Sequence, residues 1–591
     1  MDVDLEKKEE HSAGSLTPGQ DYGQIVSTQK TSFFARVIDG FRENPNARVS
    51  ELLVDDNGKP LPNQPPAQPA LAMKLKQRHL QMIAIGGSIG TGLFVGSGSA
   101  LATGGPAALV LAYCLLGIMI FCTVHALGEM AVLILDNRFP VAGSYSAYSS
   151  RFLDPAWGFA MGWNYAFQWL VTLPIEIMAA SITLNYWHGA RDVNPCVWVT
   201  IFYVVIISIN LFGVKGYGEA EFVFSIIKVI ATLGFIIFAL VVDVGGGPTG
   251  HYFGAKTWDD PGAFAYGFKG VCSVFVTAAF SFGGTELVGL AAAEAENPRL
   301  ALPTAIKQVF WRVVLFYIIS LTFVGCLVRW DDPRLLNSGS SANYWTSPFV
   351  LAIKNAGVGG LPSVFNAVIL IAVLSVGNAS VYGASRTMAA LADNGQAPKI
   401  LGYIDRTGRP LVAIIVSSAL GALCYIVALS PSQRQEAWNW MFAVSGLASI
   451  FTWGSICLCH IRFRQAWKYH GHTLDELPYK SQAGVIGSWI GFLFNCLVLI
   501  AQFWTGFAPI GYRDMSSSER TKIFFEGYLA APIVLVFYIG FKIWKRTPIR
   551  RVKDIDVVSG RREIDLEQIL ADERAIRATW PWWKKTWNTF C

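Results

Sequence analysis

From residue 80 onward the chain repeats one pattern, an apolar run followed by a short polar interval and another apolar run. An α-helix rises about 1.5 Å per residue, so about 20 apolar residues cross a hydrocarbon core about 30 Å thick. Runs of that order lie at 80–101, 107–134, 156–181, 197–213, 220–242, 269–291, 304–328, 361–388, 411–429, 437–459, 484–504 and 524–544. They predict an all-α polytopic membrane protein of about twelve transmembrane helices. A hydrophobic content of 53% against 15% charged residues agrees, and excludes a string of soluble domains.

Residues 1–73 are polar, with the charge mixture Asp4 to Glu10 and a proline-rich run from Pro60 to Pro69, and read as a flexible tail. They carry no apolar core followed by a small-residue cleavage site, so the first span is expected to act as its own insertion signal. Residues 74–545 form the membrane domain. Residues 546–591 read as a second tail with a short amphipathic helix (Ile564, Leu566, Ile569, Leu570) ending in Trp580-Pro581-Trp582-Trp583. Lys74, Lys76 and Arg78 precede the first span, and Lys545, Arg546, Arg550, Arg551 and Lys553 follow the last. By the positive-inside rule both termini are cytoplasmic.

The net charge of +6 gathers at the chain ends, with no basic stripe interleaved with aromatics, which argues against a nucleic-acid partner. The ten cysteines lie mainly inside apolar spans without CxxC spacing, and read as small core residues with no metal or disulfide framework. No Walker A motif and no converging nucleophile, base and orienting group are present. The expectation is a protein that is not an enzyme, with no catalytic residues and no cofactor.

Within the first run, six glycines fall between Gly86 and Gly98, with Ser88 and Thr91 among them. Gly86/Gly90 and Gly92/Gly96 have the spacing of small-residue helix contacts, but the density points to an interrupted helix. An unpaired main-chain group in hydrocarbon costs several kcal/mol, so a break at membrane depth must line a cavity. The sixth segment carries a second break, Phe280-Ser281-Phe282-Gly283-Gly284-Thr285-Glu286, five spans later. Two broken helices heading successive five-helix units predict a 5+5 inverted repeat, with two further helices and a solute held between the breaks.

A zwitterionic solute needs partners for a carboxylate and an ammonium once it leaves water. The amides around Thr91 and Gly92 begin a helix and can donate to the carboxylate, with the Thr91 hydroxyl as a further donor. Freed carbonyls such as those of Ser88, Phe280 and Gly283 can accept from the ammonium. The candidate substrate-binding residues are Ser88, Gly90, Thr91, Gly92, Phe280, Ser281 and Gly283, and the Phe280 ring is expected to cover the solute. Asn378, Ser380, Ser445 and Gly446 are further polar or small points.

Three ionisable residues stand out inside apolar runs, Glu129, Lys228 and Glu286, each costing about 2.5 to 3.5 kcal/mol unless paired or hydrated. Glu129 is close enough to its helix end to reach water. Lys228, flanked by Ile226, Ile227, Val229 and Ile230, has no such escape and is the first candidate for carrying a coupling proton, ahead of Glu286 and Glu129. His125 and His460 read as structural.

Gly86 to Phe94, Ala126-Leu127-Gly128-Glu129-Met130, Ser225 to Val229 and Ala279 to Glu286 resemble the fungal amino acid permeases of the amino acid/polyamine/organocation superfamily. The four motifs fall in the family's order, and the likeness runs from about Lys74 to Cys591. Gly560 to Leu566 and Trp587 to Cys591 are similar to the general amino acid permease branch. The resemblance implies a fungal plasma-membrane symporter that couples proton entry to uptake of many amino acids. It also implies substrate carboxylate at the first break, ammonium at both, and Lys228 in the place sodium takes in sodium-coupled relatives. A narrower amino acid permease and an amino-acid-sensing receptor are the alternatives. Lys7 and Lys8, in the acidic tail, are candidate sites for a ubiquitin ligase and its adaptor, as in regulated relatives. Cys591 is a candidate regulatory residue, although Thr589 before Phe590-Cys591 departs from the family's aromatic ending.

Overall fold

The computed structural model describes residues 39–44, 71–133, 144–296, 298–336, 347–557 and 579–582. Among them the chain is helical, with only two isolated bridges, Glu43 with Asp405 and Leu75 with Ala295. The expected first span is two pieces, α1 (Gln77–Gly86) and α2 (Ser97–Gly104), the latter preceded by a π-helical turn at Gly92–Gly96. Then come α3 (Pro106–Leu133), the short α4 (Ser144–Phe152), α5 (Pro155–Leu184), α6 (Pro195–Leu211) and α7 (Gly213–Asp243). The sixth segment is α8 (Gly267–Phe282) and α9 (Leu287–Ala291), and the seventh is α10 (Pro298–Arg312) and α11 (Ser320–Leu327) around a π-helical stretch. The longer helices that remain are α12 (Leu361–Asp393), α13 (Leu411–Gly421), α14 (Pro431–Tyr469), α15 (Gly484–Phe507), α16 (Ser517–Tyr528) and α17 (Ala530–Lys545).

Nine helices among the described residues are long and apolar enough to cross a membrane, and the pair α16 and α17, bent by 62°, makes a tenth. The broken first segment and the shorter α6 fall where the other two expected spans lie, below that length. By length and composition nine to ten of the described helices qualify as spans, which does not confirm the count of twelve.

Several helix starts are written in the sequence. Asp154 and Asn194 accept from the amides of Ala156 and Cys196, each with proline at the first helical position, where its missing N–H is no loss. Ser516 and Glu519 form a capping box on α16.

The core is arranged around α5 and α12, which pack along their lengths and are largely buried, whereas α7 and α15 keep most of their surface outward. The pairing repeats between the two expected five-helix units. α1 packs on α7 and α10, and α8 correspondingly packs on α14 and α3.

One end of the bundle gathers both terminal segments. The Leu75 amide donates to Glu294 O and the Glu296 amide to Leu75 O, each at 2.9 Å. Beside them Arg386 donates to Glu294 at 2.9 Å and lies 4.2 Å over the Tyr382 ring, which stacks on Tyr217 at 4.2 Å. Residues 39–44, inside the tail expected to be flexible, are held on the loop after α12. Arg406 pairs with Asp39 at 2.6 Å, Tyr403 donates to Phe41 O at 2.9 Å, and Arg409 lies 4.7 Å over Phe41. An ion pair and a cation over a ring give this stretch partners that composition does not reveal. Lys7, Lys8, Cys591 and the helix expected around Ile564 to Leu570 lie outside the described residues.

After α17 the chain returns across the same end. The Arg550 amide donates to Leu153 O at 2.8 Å, and Asp154 collects the Thr547 hydroxyl at 2.9 Å together with the Lys542 ammonium. Asp154 thus caps α5 and ties down the segment after α17. Asp154→Ala removes a cap worth about 0.5 to 2 kcal/mol and leaves Lys542 unpaired. The expected result is a lower midpoint of thermal unfolding in detergent, with Asp154→Asn, which keeps the cap, falling between the two.

Candidate functional site

The helix fails twice because glycine has little helix propensity and no side chain to shield its main chain. α1 stops at Gly86, residues 87–90 form turns, and the helix resumes at Thr91. In the second break Gly283 leaves helical geometry at φ −54°, ψ 136°, and Gly284 sits at φ +94°, a left-handed conformation that favours glycine.

The breaks are pressed together. A β-carbon on Gly92 would stand 2.5 Å from Ser281 Cα and 2.8 Å from the Ser281 amide nitrogen. Tyr317 donates to Ser281 O at 2.8 Å and lies 3.3 Å from the Ser88 hydroxyl, so one phenol touches both breaks. Ser281 Oγ donates to Thr277 O at 2.8 Å, which leaves Tyr113 as the donor in their 2.7 Å contact.

Between the breaks lies a small cavity, with about 20 Å³ open to the centre of a water molecule. Ser88, Gly90, Thr91 and Gly92 from the first break line it, with Phe280 and Gly283 from the second. The far wall comes from α5 (Gln168, Trp169, Thr172, Glu176), completed by Val376 of α12 and Ser445 of α14. Six of the seven candidate substrate residues therefore meet. Ser281 sits behind them, holding tyrosines. The Phe280 ring packs 4.2 Å from Phe442.

The Thr91 hydroxyl corrects one expectation. It donates to Glu176 Oε2 at 2.5 Å, so its single hydrogen is already committed. The hydroxyl therefore has no hydrogen left for an anionic group, and a helix start can offer only main-chain amides instead. Glu176 Oε1, Gln168 Oε1 and Trp169 Nε1 are buried without a hydrogen-bond partner, and all three residues line the cavity. The two open acceptors, Glu176 Oε1 and Gln168 Oε1, are what a polar guest could complete.

Lys228 does not line the cavity. It grips the first break from the other side, donating to Gly86 O at 2.5 Å and Ser375 Oγ at 2.8 Å, with Glu221 Oε1 at 3.5 Å. Ser375 donates to the same Glu221 oxygen at 2.6 Å. Each hydrogen of the ammonium has an acceptor, drawn from α1, α12 and α7.

The other two ionisable candidates stand elsewhere. Glu286 is held behind the second break, accepting from Trp453 Nε1 at 3.0 Å and the Gly284 amide at 3.3 Å. Glu129, near the end of α3, pairs with Arg464 at 2.5 Å and His460 at 3.1 Å and accepts from the Ser481 amide at 2.7 Å. It is buried in an ion pair instead of reaching water. Asn378 bonds Asn210 and Ser380 bonds Val376 O, so of the four further polar or small points only Ser445 joins the cavity.

The apolar runs hold more charge than three residues. Glu176, Glu221, Glu294, Arg312 and Arg386 are also buried. A sequence signal existed for the first two. Asn164, Gln168, Thr172 and Glu176 recur every four residues on α5, and Glu221, Ser225, Lys228 and Thr232 keep helical spacing on α7. Such spacing puts each set on one helix face.

Three comparisons bear on this arrangement. The sequence model of the amino acid permease family matches residues 79–554. The chain is 55% identical over 566 residues to a general amino-acid permease of Candida albicans, covering 94% of this chain and 93% of that one. It is 53% identical to a general amino-acid permease of Saccharomyces cerevisiae, covering 89% and 86%, and 52% identical to a cationic amino acid transporter of Schizosaccharomyces pombe, covering 83% and 82%.

Because a methyl at Gly92 would meet main chain, Gly92→Ala must push one break off the other, an overpacking cost of about 1 to 3 kcal/mol. Gly96→Ala meets only the Thr277 methyl, at 3.2 Å, which can give way. Thermal unfolding in detergent is expected to show a clear fall in midpoint for Gly92→Ala and a much smaller one for Gly96→Ala.

Proposed function

The chain belongs to the amino acid permease family, and on that premise we propose that it is a proton-coupled symporter taking up amino acids of broad specificity across the plasma membrane, with both termini cytoplasmic. The cavity between the two breaks carries this reading. Its lining residues Gly90, Gly92 and Gly283 can offer only main chain, which would address the carboxylate and ammonium common to all amino acids and leave the side chain free. In this reading the amides from Thr91 onward take the carboxylate. The carbonyls of Phe280 and Gly283, with the open Glu176 oxygen, take the ammonium. Domain limits follow the same proposal, with residues 1–73 and 546–591 as cytoplasmic tails around the membrane domain.

Coupling is assigned to Lys228. Protonated, it holds α1 to α7 and α12 through Gly86 O, Glu221 and Ser375. Without its proton it has one donor fewer and no charge, the grip on Gly86 O weakens, and α1 is free to swing. A lysine suits this role because a buried ammonium can lose its proton where a guanidinium does not. Lys228→Met keeps length and removes charge. In proteoliposomes the variant is expected to exchange internal for external amino acid yet fail to accumulate it under a proton gradient. Wild-type accumulation would move the coupling role to Glu286 or Glu129, and wild-type protein that binds but never transports would make the chain a receptor.

The open Glu176 oxygen also favours a narrower reading, in which that carboxylate selects cationic side chains. Glu176→Gln separates the two. A charge-assisted hydrogen bond is worth about 1.5 to 3 kcal/mol, or about ten- to a hundredfold. The broad reading expects the apparent KM to rise by that factor for every amino acid. A rise confined to arginine and lysine in uptake competition would establish the narrower specificity.

A further inference from the structure

Arg312, the last residue of α10, is fully buried, and among the described residues no carboxylate lies within ion-pair distance of it. A buried guanidinium costs several kcal/mol to desolvate, and the Glu286 carboxylate acts on this one only through space, without an ion pair, so its direct partners are neutral groups. Its Nη1 donates to Ala84 O at 2.6 Å, and its Nη2 donates to the Thr285 hydroxyl. That hydroxyl donates in turn to Phe282 O at 2.6 Å. Ala84 lies in the last turn of α1, and Phe282 is the last residue of α8. The guanidinium therefore reaches the carboxyl end of both half-helices, one directly and one through a hydroxyl. Each such end carries about half a negative charge, so two together offset about one positive charge.

We infer that Arg312 is the common carboxyl-terminal cap of the two broken helices, a positioning residue whose permanent charge sets their spacing and through it the width of the solute cavity. α1 is then gripped near its end by two cations. Lys228, on Gly86 O, can let go when it loses its proton, whereas Arg312, on Ala84 O, stays charged throughout. When the lysine releases, α1 turns about the arginine and does not separate from the second break. Thr285 is the other half of the device, because its hydroxyl passes the cation's hold on to α8.

This inference rests on the proposed transport of amino acids, and the experiment keeps the two apart by measuring equilibrium binding of one small and one large radiolabelled amino acid to purified protein, followed by exchange kinetics in proteoliposomes. Wild-type protein that bound neither would overturn the transport reading itself. With binding present in the wild type, Arg312→Met is expected to weaken it at least tenfold for both amino acids alike. Arg312→Lys should recover part of the loss, since an ammonium can serve one helix end but has no fork to span both. Thr285→Val keeps the bond to Ala84 and removes the relay, and should raise the exchange KM in the same direction by a smaller factor. It also covers the case in which Arg312→Met does not reach the membrane. Unchanged binding in folded Arg312→Met, or an unchanged KM in Thr285→Val, would show that the arginine only fills space and would overturn the inference.

Discussion

Main-chain groups freed by two interrupted helices have to be satisfied inside an apolar bundle, and most of the interior follows from that requirement. An orphaned carbonyl or amide away from water costs several kcal/mol. The carboxyl end of α1 is met by Lys228 at Gly86 and by Arg312 at Ala84. The second break is met by Tyr317 at Ser281, by Thr285 at Phe282 and by Glu286 at the Gly284 amide. Beside them Glu176 Oε1 and Gln168 Oε1, on residues that line the cavity, stay without a partner.

The partners arrive on two polar stripes. α5 brings Asn164, Gln168, Thr172 and Glu176 along one face, and α7 brings Glu221, Ser225, Lys228 and Thr232 along another. Each stripe engages a neighbouring helix. Asn164 donates to Ala448 O at 2.9 Å and Ser225 to Met82 O at 3.1 Å. Polar side chains at helical spacing thus dock α5 onto α14 and α7 onto the broken first segment. The same close approach makes small residues obligatory at the contacts, since a β-carbon on Gly86 would collide with the Ser225 side chain.

The end of the bundle that bears both terminal segments is closed by pairings of another kind. The Leu75 bridge to Ala295, the Arg386 pair with Glu294 and the stacked tyrosines lie where α1 begins, just past α9 and near the end of α12. An alternating-access cycle would have to open these contacts, and the strand-like pairing immediately precedes α1. The segment after α17 is fastened by Asp154 to the start of α5.

The apolar runs, the two breaks and the lone charge of Lys228 were legible in the sequence because each is a local signal. Run length against bilayer thickness marks a span, glycine density marks a lost helix, and one lysine between isoleucines marks a buried group. The family likeness was legible in four short motifs for the same reason. Glu176, Glu221 and Arg312 were not singled out, although two of them lie on visible stripes, because a stripe does not say which neighbour it faces. The commitment of the Thr91 hydroxyl to Glu176, and the burial of Glu129 against Arg464, depend on residues 85 and 335 positions away. The sequence alone determined where helices run and where they stop. Which freed group meets which partner was decided only when helices distant along the chain packed together, since a hydrogen bond requires atoms within about 3 Å and linear order says nothing of that distance.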